Sequence, residues 1–186
     1  MRIIENVLPE QLCYEIGGLG YRLTRGYDLT EEELNIQSWT NFRWHSDLNQ
    51  ESTPVLCYSM PKSLSKQIIP FLKKNDLFSN ETEESLREEM KFMIYVWTKG
   101  SWINWHGDAH AKQAVTIYLN KDWHYNDGGL FIWQDETTSE LKVVEPKFNT
   151  LVYNEGSMMH GTTPVTSSTS LRITVQGFML RSDAQT

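Results

Sequence analysis

Apolar residues in this chain keep two different periods, and the change between them falls near residue 90. Ahead of it, "SLSKQIIPFLKKNDLF" carries Leu64, Ile68, Phe71 and Leu72 on one side, the spacing of a helix with one buried face. Ser63 is its expected N-cap and Pro70 an expected kink. The opening "MRIIENVLPEQLCYEI" predicts a short strand over Arg2 to Ile4 and then a helix entered near Pro9, a residue suited to a first helical turn. The glycines of "GGLG", Gly17 to Gly20, are expected to end that helix. "VLCYSM" reads as a strand. Residues 24–52 read as polar and irregular with one acidic turn at Glu31 to Glu33, and "NETEESLREEM" as solvated surface, either a helical turn or a loop.

Beyond Lys91 the period shortens to two. "KFMIYVW", "WINWHGD", "QAVTIYLN", "GLFIWQ", "LKVVEP", "NTLVYN" and "LRITVQGFML" follow as short strands, separated by turn signals such as "NDGG", "EPKFN" and "NEGS". Strands spaced this evenly indicate a sandwich or small barrel, with a jelly roll the natural candidate. The expected fold is therefore mostly β with flanking α: a double-stranded β-helix, or jelly roll, with N-terminal helices packed on it. The chain reads as a single domain over 1–186, in which 1–90 supply helical support and variable loops and 91–182 the jelly-roll core.

Composition sharpens this in two places. Aromatics make up 12% of the chain, seven of them Trp, which suits a β-rich core. The net charge of −7 repels phosphate backbones and so argues against nucleic acid as a partner. Lys62, Lys66, Lys73 and Lys74 are expected to form the wet face of the second helix rather than a basic patch. Cys13 and Cys57 read as reduced thiols. Residues 1–20 lack the apolar core of a signal peptide and no apolar run is long enough to span a membrane, so the expected setting is cytoplasmic, without a membrane partner.

Candidate chemistry begins at "WHGDAH", where His106, Asp108 and His110 would share one face of a strand. His160, in "MMHGTTPV", lies 54 residues beyond His106 (160 − 106). Two histidines and one carboxylate with open positions suit non-haem Fe(II). One strand seldom offers three ligands to one small ion, so His110 is expected at the rim of such a site; His45 and His124, in polar loops, are expected at the surface. In "LRITVQGF", Leu171, Ile173 and Val175 would line one face and Arg172, Thr174 and Gln176 the other. If the second face looks into a barrel, Arg172 is a buried cation with no obvious acidic mate, and a ligand carboxylate beside the Thr174 hydroxyl would satisfy it. The alternative is an outward Arg172 on a wet sheet. Trp102, Trp105 and Trp133 are expected in the core and cavity wall, and Gly128-Gly129 as a tight turn.

The stretches "WHGD", "VTIYLNKDW", "DGGLFI", "VEPKFNTLV", "HGTTPV" and "RITVQGF" resemble, in order and spacing, the 2-oxoglutarate/Fe(II)-dependent dioxygenases, and within them the prolyl 4-hydroxylase branch. "YLNKDW" followed by "GG" and "EPKF" is similar to the hypoxia-sensing type. The resemblance covers residues 91–181 well and the first ninety loosely, through "ENVLPEQLC". It implies that His106, Asp108 and His160 ligate Fe(II), and that Arg172 binds the distal carboxylate of 2-oxoglutarate, with Tyr118 donating to that carboxylate and the Thr174 hydroxyl nearby. Trp97, nine residues before His106, falls near where relatives place a tyrosine close to the co-substrate, and Trp123 in "KDW" would be structural. The gap of twelve from His160 to Arg172 is longer than in the hypoxia-sensing type and is absorbed by the hairpin "PVTSSTS". The implied activity consumes dioxygen, with ascorbate as an accessory reductant, and hydroxylates a C–H bond while 2-oxoglutarate leaves as succinate and carbon dioxide. The implied substrate is a protein or peptide containing proline. Hydroxylation of a free amino acid or other small molecule, or a catalytically silent binding module, remain the alternatives. A nucleic-acid demethylase is disfavoured by charge and by the lack of a second arginine closely following Arg172. The choice among substrates would lie in the loops around 24–52 and 75–90.

Overall fold

A computed structural model describes residues 1–25, 52–155, 158–167 and 170–181, and the backbone of residues 38–42. In chain order the elements are β1 (Arg2–Glu5), α1 (Glu10–Arg25), β2 (Ser38–Phe42), β3 (Val55–Ser59), α2 (Lys62–Lys74), α3 (Glu83–Glu89), β4 (Met90–Trp97), β5 (Ile103–His106), β6 (Ala111–Tyr118), β7 (Phe131–Gln134), β8 (Leu141–Val144), β9 (Thr150–Glu155), β10 (His160–Thr162) and β11 (Arg172–Leu180). A single 3₁₀ turn, Tyr125–Asp127, precedes the glycine pair before β7.

The strands form two antiparallel sheets. The larger has seven, ordered β1-β9-β6-β11-β4-β3-β2, and the smaller four, ordered β5-β10-β7-β8. Alternation along each strand sends successive side chains to opposite faces. One face of the large sheet, carrying Ile94, Val96, Ile117, Leu151, Ile173 and Val175, packs against Ile16 and Leu19 of α1, Ile68 and Leu72 of α2 and Leu86 of α3. The other face, carrying Tyr95, Trp97, Tyr118 and Val152, looks toward Ile103, Phe131, Trp133 and Val144 of the small sheet. The mostly-β jelly roll with helices laid on it is the architecture present.

Several local expectations change. The "GGLG" run does not end α1, which continues to Arg25. Gly20 marks where the helix lies close on the sheet: a Cβ there would stand 3.0 Å from Ile173 Cγ2 and 3.3 Å from Ile94 Cγ2. α2 starts one residue ahead of Ser63, with Pro61 at the N-cap and no side-chain cap, and Pro70 lies inside it without ending it. Within "NETEESLREEM" the helical alternative holds: Glu83–Glu89 form α3, capped by Thr82, whose hydroxyl accepts from the Ser85 amide at 3.0 Å. Lys73 leaves the wet face, donating to the carbonyls of Phe78 and Glu81 at 3.0 and 2.7 Å and tying down the turn after α2. Within the segment expected to be irregular, β2 pairs with β3; the acidic turn Glu31 to Glu33 and His45 lie outside the described residues. β10, three residues long, was not anticipated as a strand.

Cys13 and Cys57 are free and buried, and burial pushes their thiols up to about 11 and about 12. No described helix is long and apolar enough to cross a membrane.

The close approach of α1 yields a paired expectation. Gly20→Leu, which favours helix locally, should still destabilise by about 1–3 kcal/mol through overpacking against Ile173 and Ile94. Gly18→Ala, where an added Cβ meets only Arg22 Nη1 at 3.6 Å, should stabilise by about 0.5–1 kcal/mol. Thermal melts of the two variants separate these signs, at about 2–4 °C per kcal/mol.

Candidate metal centre and cavity

β5 ends on His106 and β10 begins on His160, and the two residues are direct partners across the antiparallel pairing of these strands. Asp108 sits two residues past His106 in the turn into β6, a turn closed by the Ala111 amide donating to the Asp108 carbonyl at 2.9 Å. A separation of 54 residues is thus removed by strand register. The three side chains can bring one ligand atom each within 4.8 Å of one another. His106 Nε2 stands 3.7 Å from Asp108 Oδ1 and His160 Nε2 3.5 Å from Asp108 Oδ2, so the carboxylate lies between two imidazole nitrogens.

Each imidazole is also fixed from behind. His106 Nδ1 donates to the Asn104 carbonyl and His160 Nδ1 to the Met158 carbonyl, both at 2.8 Å. Carbonyls only accept, so the proton belongs on Nδ1 and the Nε2 lone pair is left to ligate. Phe131 stacks on the His160 ring at 5.2 Å and 20°. Burial lowers the His160 pKa against the opposing pull of the Met158 carbonyl and Asp108, which favours the neutral, ligating form. Two nitrogens and a carboxylate oxygen, held rigidly with positions to spare, fit Fe(II). His110 is outside this group: it is exposed, with its ring 5.7 Å from that of Phe178.

Arg172 opens β11 and is 2% exposed. Its guanidinium carbon lies 4.7 Å from the ring centroid of Trp97 and 5.2 Å from that of Tyr118. Arg172 Nε and Nη1 and the Tyr118 hydroxyl are buried without a hydrogen-bond partner. Guanidinium and hydroxyl attract each other, but not in the geometry of a formed hydrogen bond. Thr174 Oγ1 accepts from Trp97 Nε1 at 3.1 Å. Burial pushes the guanidinium down to about 10, partly offset by Tyr118, so it stays a cation at neutral pH; burial pushes the Tyr118 hydroxyl up to about 12. A sealed cation with orphaned N–H groups carries a penalty of several kcal/mol that a ligand carboxylate would relieve. The outward alternative for Arg172 is therefore excluded, and the chemistry around it fits a small diacid.

The glycine pair does more than turn the chain. Both residues have positive φ, +70° at Gly128 and +64° at Gly129. A Cβ on Gly128 would come within 2.1 Å of the Pro164 carbonyl oxygen, and one on Gly129 within 2.7 Å of Arg172 Cδ. The loop thus closes directly over the arginine stem, and Trp123 Nε1 holds it by donating to the Gly128 carbonyl at 3.0 Å. Of the tryptophans expected inside, Trp133 is buried in the apolar cluster with Phe131 and Val144, but Trp105 is 37% exposed. Strand alternation explains it: with neighbouring His106 turned inward, Trp105 must turn out. His124 is at the surface, capping the 3₁₀ turn.

His106, Asp108 and His160 share a cavity of about 40 Å³ with Thr116, Asn154 and Gln176, room for about three waters. Asn154, whose amide nitrogen and oxygen both lack partners, and Thr150, whose hydroxyl also does, escaped sequence reading. Their only signal was alternation on β9, where Leu151 and Tyr153 pack toward the helices and Thr150, Val152 and Asn154 take the opposite face.

A family model described as the 2OG-Fe(II) oxygenase superfamily matches residues 76–180. No curated protein matches the chain by sequence. Among solved structures, a prolyl-4-hydroxylase of Pseudomonas putida is similar with a TM-score of 0.71 at 16% identity, over 97% of this chain and 91% of that one. A Trichoplax adhaerens prolyl hydroxylase, in complex with a hypoxia inducible factor oxygen degradation domain peptide fragment, gives 0.67 at 15% identity over 99% and 84%. The alpha-ketoglutarate-dependent epimerase SnoN from nogalamycin biosynthesis gives 0.57 at 12% over 94% and 76%. Identities this low show a common fold.

Calorimetric titration with Mn(II), a redox-stable stand-in for Fe(II), should show His160→Ala weakening metal affinity by at least about tenfold and His110→Ala leaving it within about twofold. Because protonated imidazole cannot ligate, wild-type affinity should fall as pH drops. With the His160 pKa lowered, His160 contributes to that fall only below about pH 6.5.

Proposed function

This chain belongs to the 2OG-Fe(II) oxygenase superfamily, and from that premise we propose that it hydroxylates a C–H bond of a proline-containing peptide or protein. Its cofactors are Fe(II) and 2-oxoglutarate, the metal served by the triad His106, Asp108 and His160. Arg172 seats the distal carboxylate of 2-oxoglutarate, the Tyr118 hydroxyl donates to the same carboxylate, and Thr174 and Trp97 hold the guanidinium's surroundings in place. The observation that carries this assignment is the buried Arg172, with unpartnered Nε and Nη1 beside an unpartnered Tyr118 hydroxyl.

When bound, iron and 2-oxoglutarate supply the oxidising chemistry, in which dioxygen is consumed, succinate and carbon dioxide leave and one oxygen enters the substrate. The chain's own residues do the rest. The carbonyls of Asn104 and Met158 hold each imidazole in its ligating tautomer. Arg172 orients the co-substrate through a charge-assisted pair whose strength depends on the exclusion of water, and Gly129 lets the loop close over it. We further infer one catalytic domain over 1–186, working in a reducing compartment such as the cytoplasm, where Cys13 and Cys57 stay thiols and ascorbate can serve as reductant.

The peptide reading draws support from likeness to the two prolyl hydroxylases, one of them in complex with a peptide. A second reading, a free amino acid or other small molecule, is favoured by Thr116 and Gln176, which make the cavity more polar than a prolyl ring requires.

Adding 2-oxoglutarate to the anaerobic Fe(II) protein should produce a visible charge-transfer band; its absence in wild type would sink the oxygenase reading. Arg172→Met removes one partner of a buried pair, a loss of about 3–5 kcal/mol, and so should weaken 2-oxoglutarate binding by roughly two to three powers of ten. Succinate release stimulated by proline peptides, and not by free amino acids, would favour the peptide reading; the reverse would favour the second.

A further inference from the structure

Asn154 is 4% exposed, and neither the nitrogen nor the oxygen of its carboxamide finds a partner. An amide left this way inside a protein is unfavourable unless something pairs with it. Register fixes where it stands. The cavity face of the large sheet runs in rows: Arg172 leads, Thr174 comes beside Tyr118, Gln176 beside Thr116, and Phe178 beside Ala114. Asn154 pairs with Ala114 in that last row. Three rows from Arg172, it is too far for one carboxylate to touch both. It does share the small metal cavity with His106, Asp108 and His160, and a space of about three waters brings it within reach of whatever occupies the metal's open positions.

We infer that Asn154 is a positioning residue for the co-substrate, its Nδ2 donating to the metal-proximal carboxylate of a 2-oxo acid. This rests on the co-substrate reading given above. A carboxylate that gives one oxygen to a metal keeps another that needs a donor, and Asn154 offers an unused one at that end of the cavity. Arg172 and Asn154 then divide the diacid between them. Arg172 takes the carboxylate remote from the metal and Asn154 the one beside it.

The division can be read with two probes on the Mn(II)-loaded full chain, 2-oxoglutarate and 2-oxopentanoate, which lacks the remote carboxylate. Asn154→Leu, which keeps the branched shape, is larger and cannot donate, should weaken both acids by about ten- to a hundredfold. Arg172→Met should weaken 2-oxoglutarate alone. Mn(II) affinity itself should stay within about threefold in Asn154→Leu, because the amide is not a ligand. Should the leucine variant fail to fold, Asn154→Ala serves instead, with an expected loss of at least about threefold for both acids, since a water can occupy the vacated space. Changes below that size toward both acids, a loss confined to 2-oxoglutarate, or weakened Mn(II) binding would each overturn the assignment. Wild-type protein that binds neither acid would sink the co-substrate reading and this inference together, whereas binding that ignores Asn154 sinks this inference alone.

Discussion

A guanidinium enclosed by Trp97 and Tyr118, with no carboxylate among the described residues to answer it, constrains most of what surrounds it. Such a group is held only where its neighbours leave it no cheaper conformation, and here they do so from several directions. β11 runs between β6 and β4 in the large sheet; its first residue pairs with Trp97 of β4, and two residues on Thr174 pairs with Tyr118 of β6, so the backbone under Arg172 is held by the ladder. Ile173 and Val175 anchor the opposite face of the same strand under the helices. Gly129 closes over the stem at a distance no side chain would permit. The energy that holds Arg172 in place comes from apolar burial on the far side of the sheet, which is why helices that touch none of the site still matter to it.

Much of this was legible because strand chemistry is local. The alternation in "LRITVQGF" separates Ile173 and Val175 from Arg172 and Thr174 without any tertiary information, and the structure keeps that separation. The His-x-Asp pair and the distant His160 were visible as residue types; their meeting was not, because it depends on β10, three residues too short to carry a periodic signal. Asn154 and Thr150 were hidden for a different reason. Alternation on β9 gives them a face, but whether a buried amide has partners depends on side chains from other strands. The glycines of α1 misled because Gly signals both a helix end and a close helix–sheet contact, and only the position of Ile173 decides between them.

The superfamily's fold supports many reactions, and the fold alone selects none of them. The inner surface of this chain carries the groups that must select one. The arginine end is aromatic and dry, with Trp97 and Tyr118 almost fully buried. The metal end is lined with an amide-bearing asparagine and glutamine and a threonine hydroxyl. The two environments differ in kind: a buried cation between aromatic rings at one end of β11, and hydrogen-bonding side chains around the metal ligands nearer its other end.

The pairing of His106 with His160 has a mechanical side. β5 and β10 share only two register pairs, interrupted by an irregularity between them, so little backbone hydrogen bonding holds that seam of the small sheet. An ion ligated from both strands is a cross-link at a sparsely paired seam, and its binding energy adds to the cohesion of the sheet. Loss of iron would therefore loosen the small sheet as well as silence the site, and amide exchange along β10 would report how much metal the protein holds.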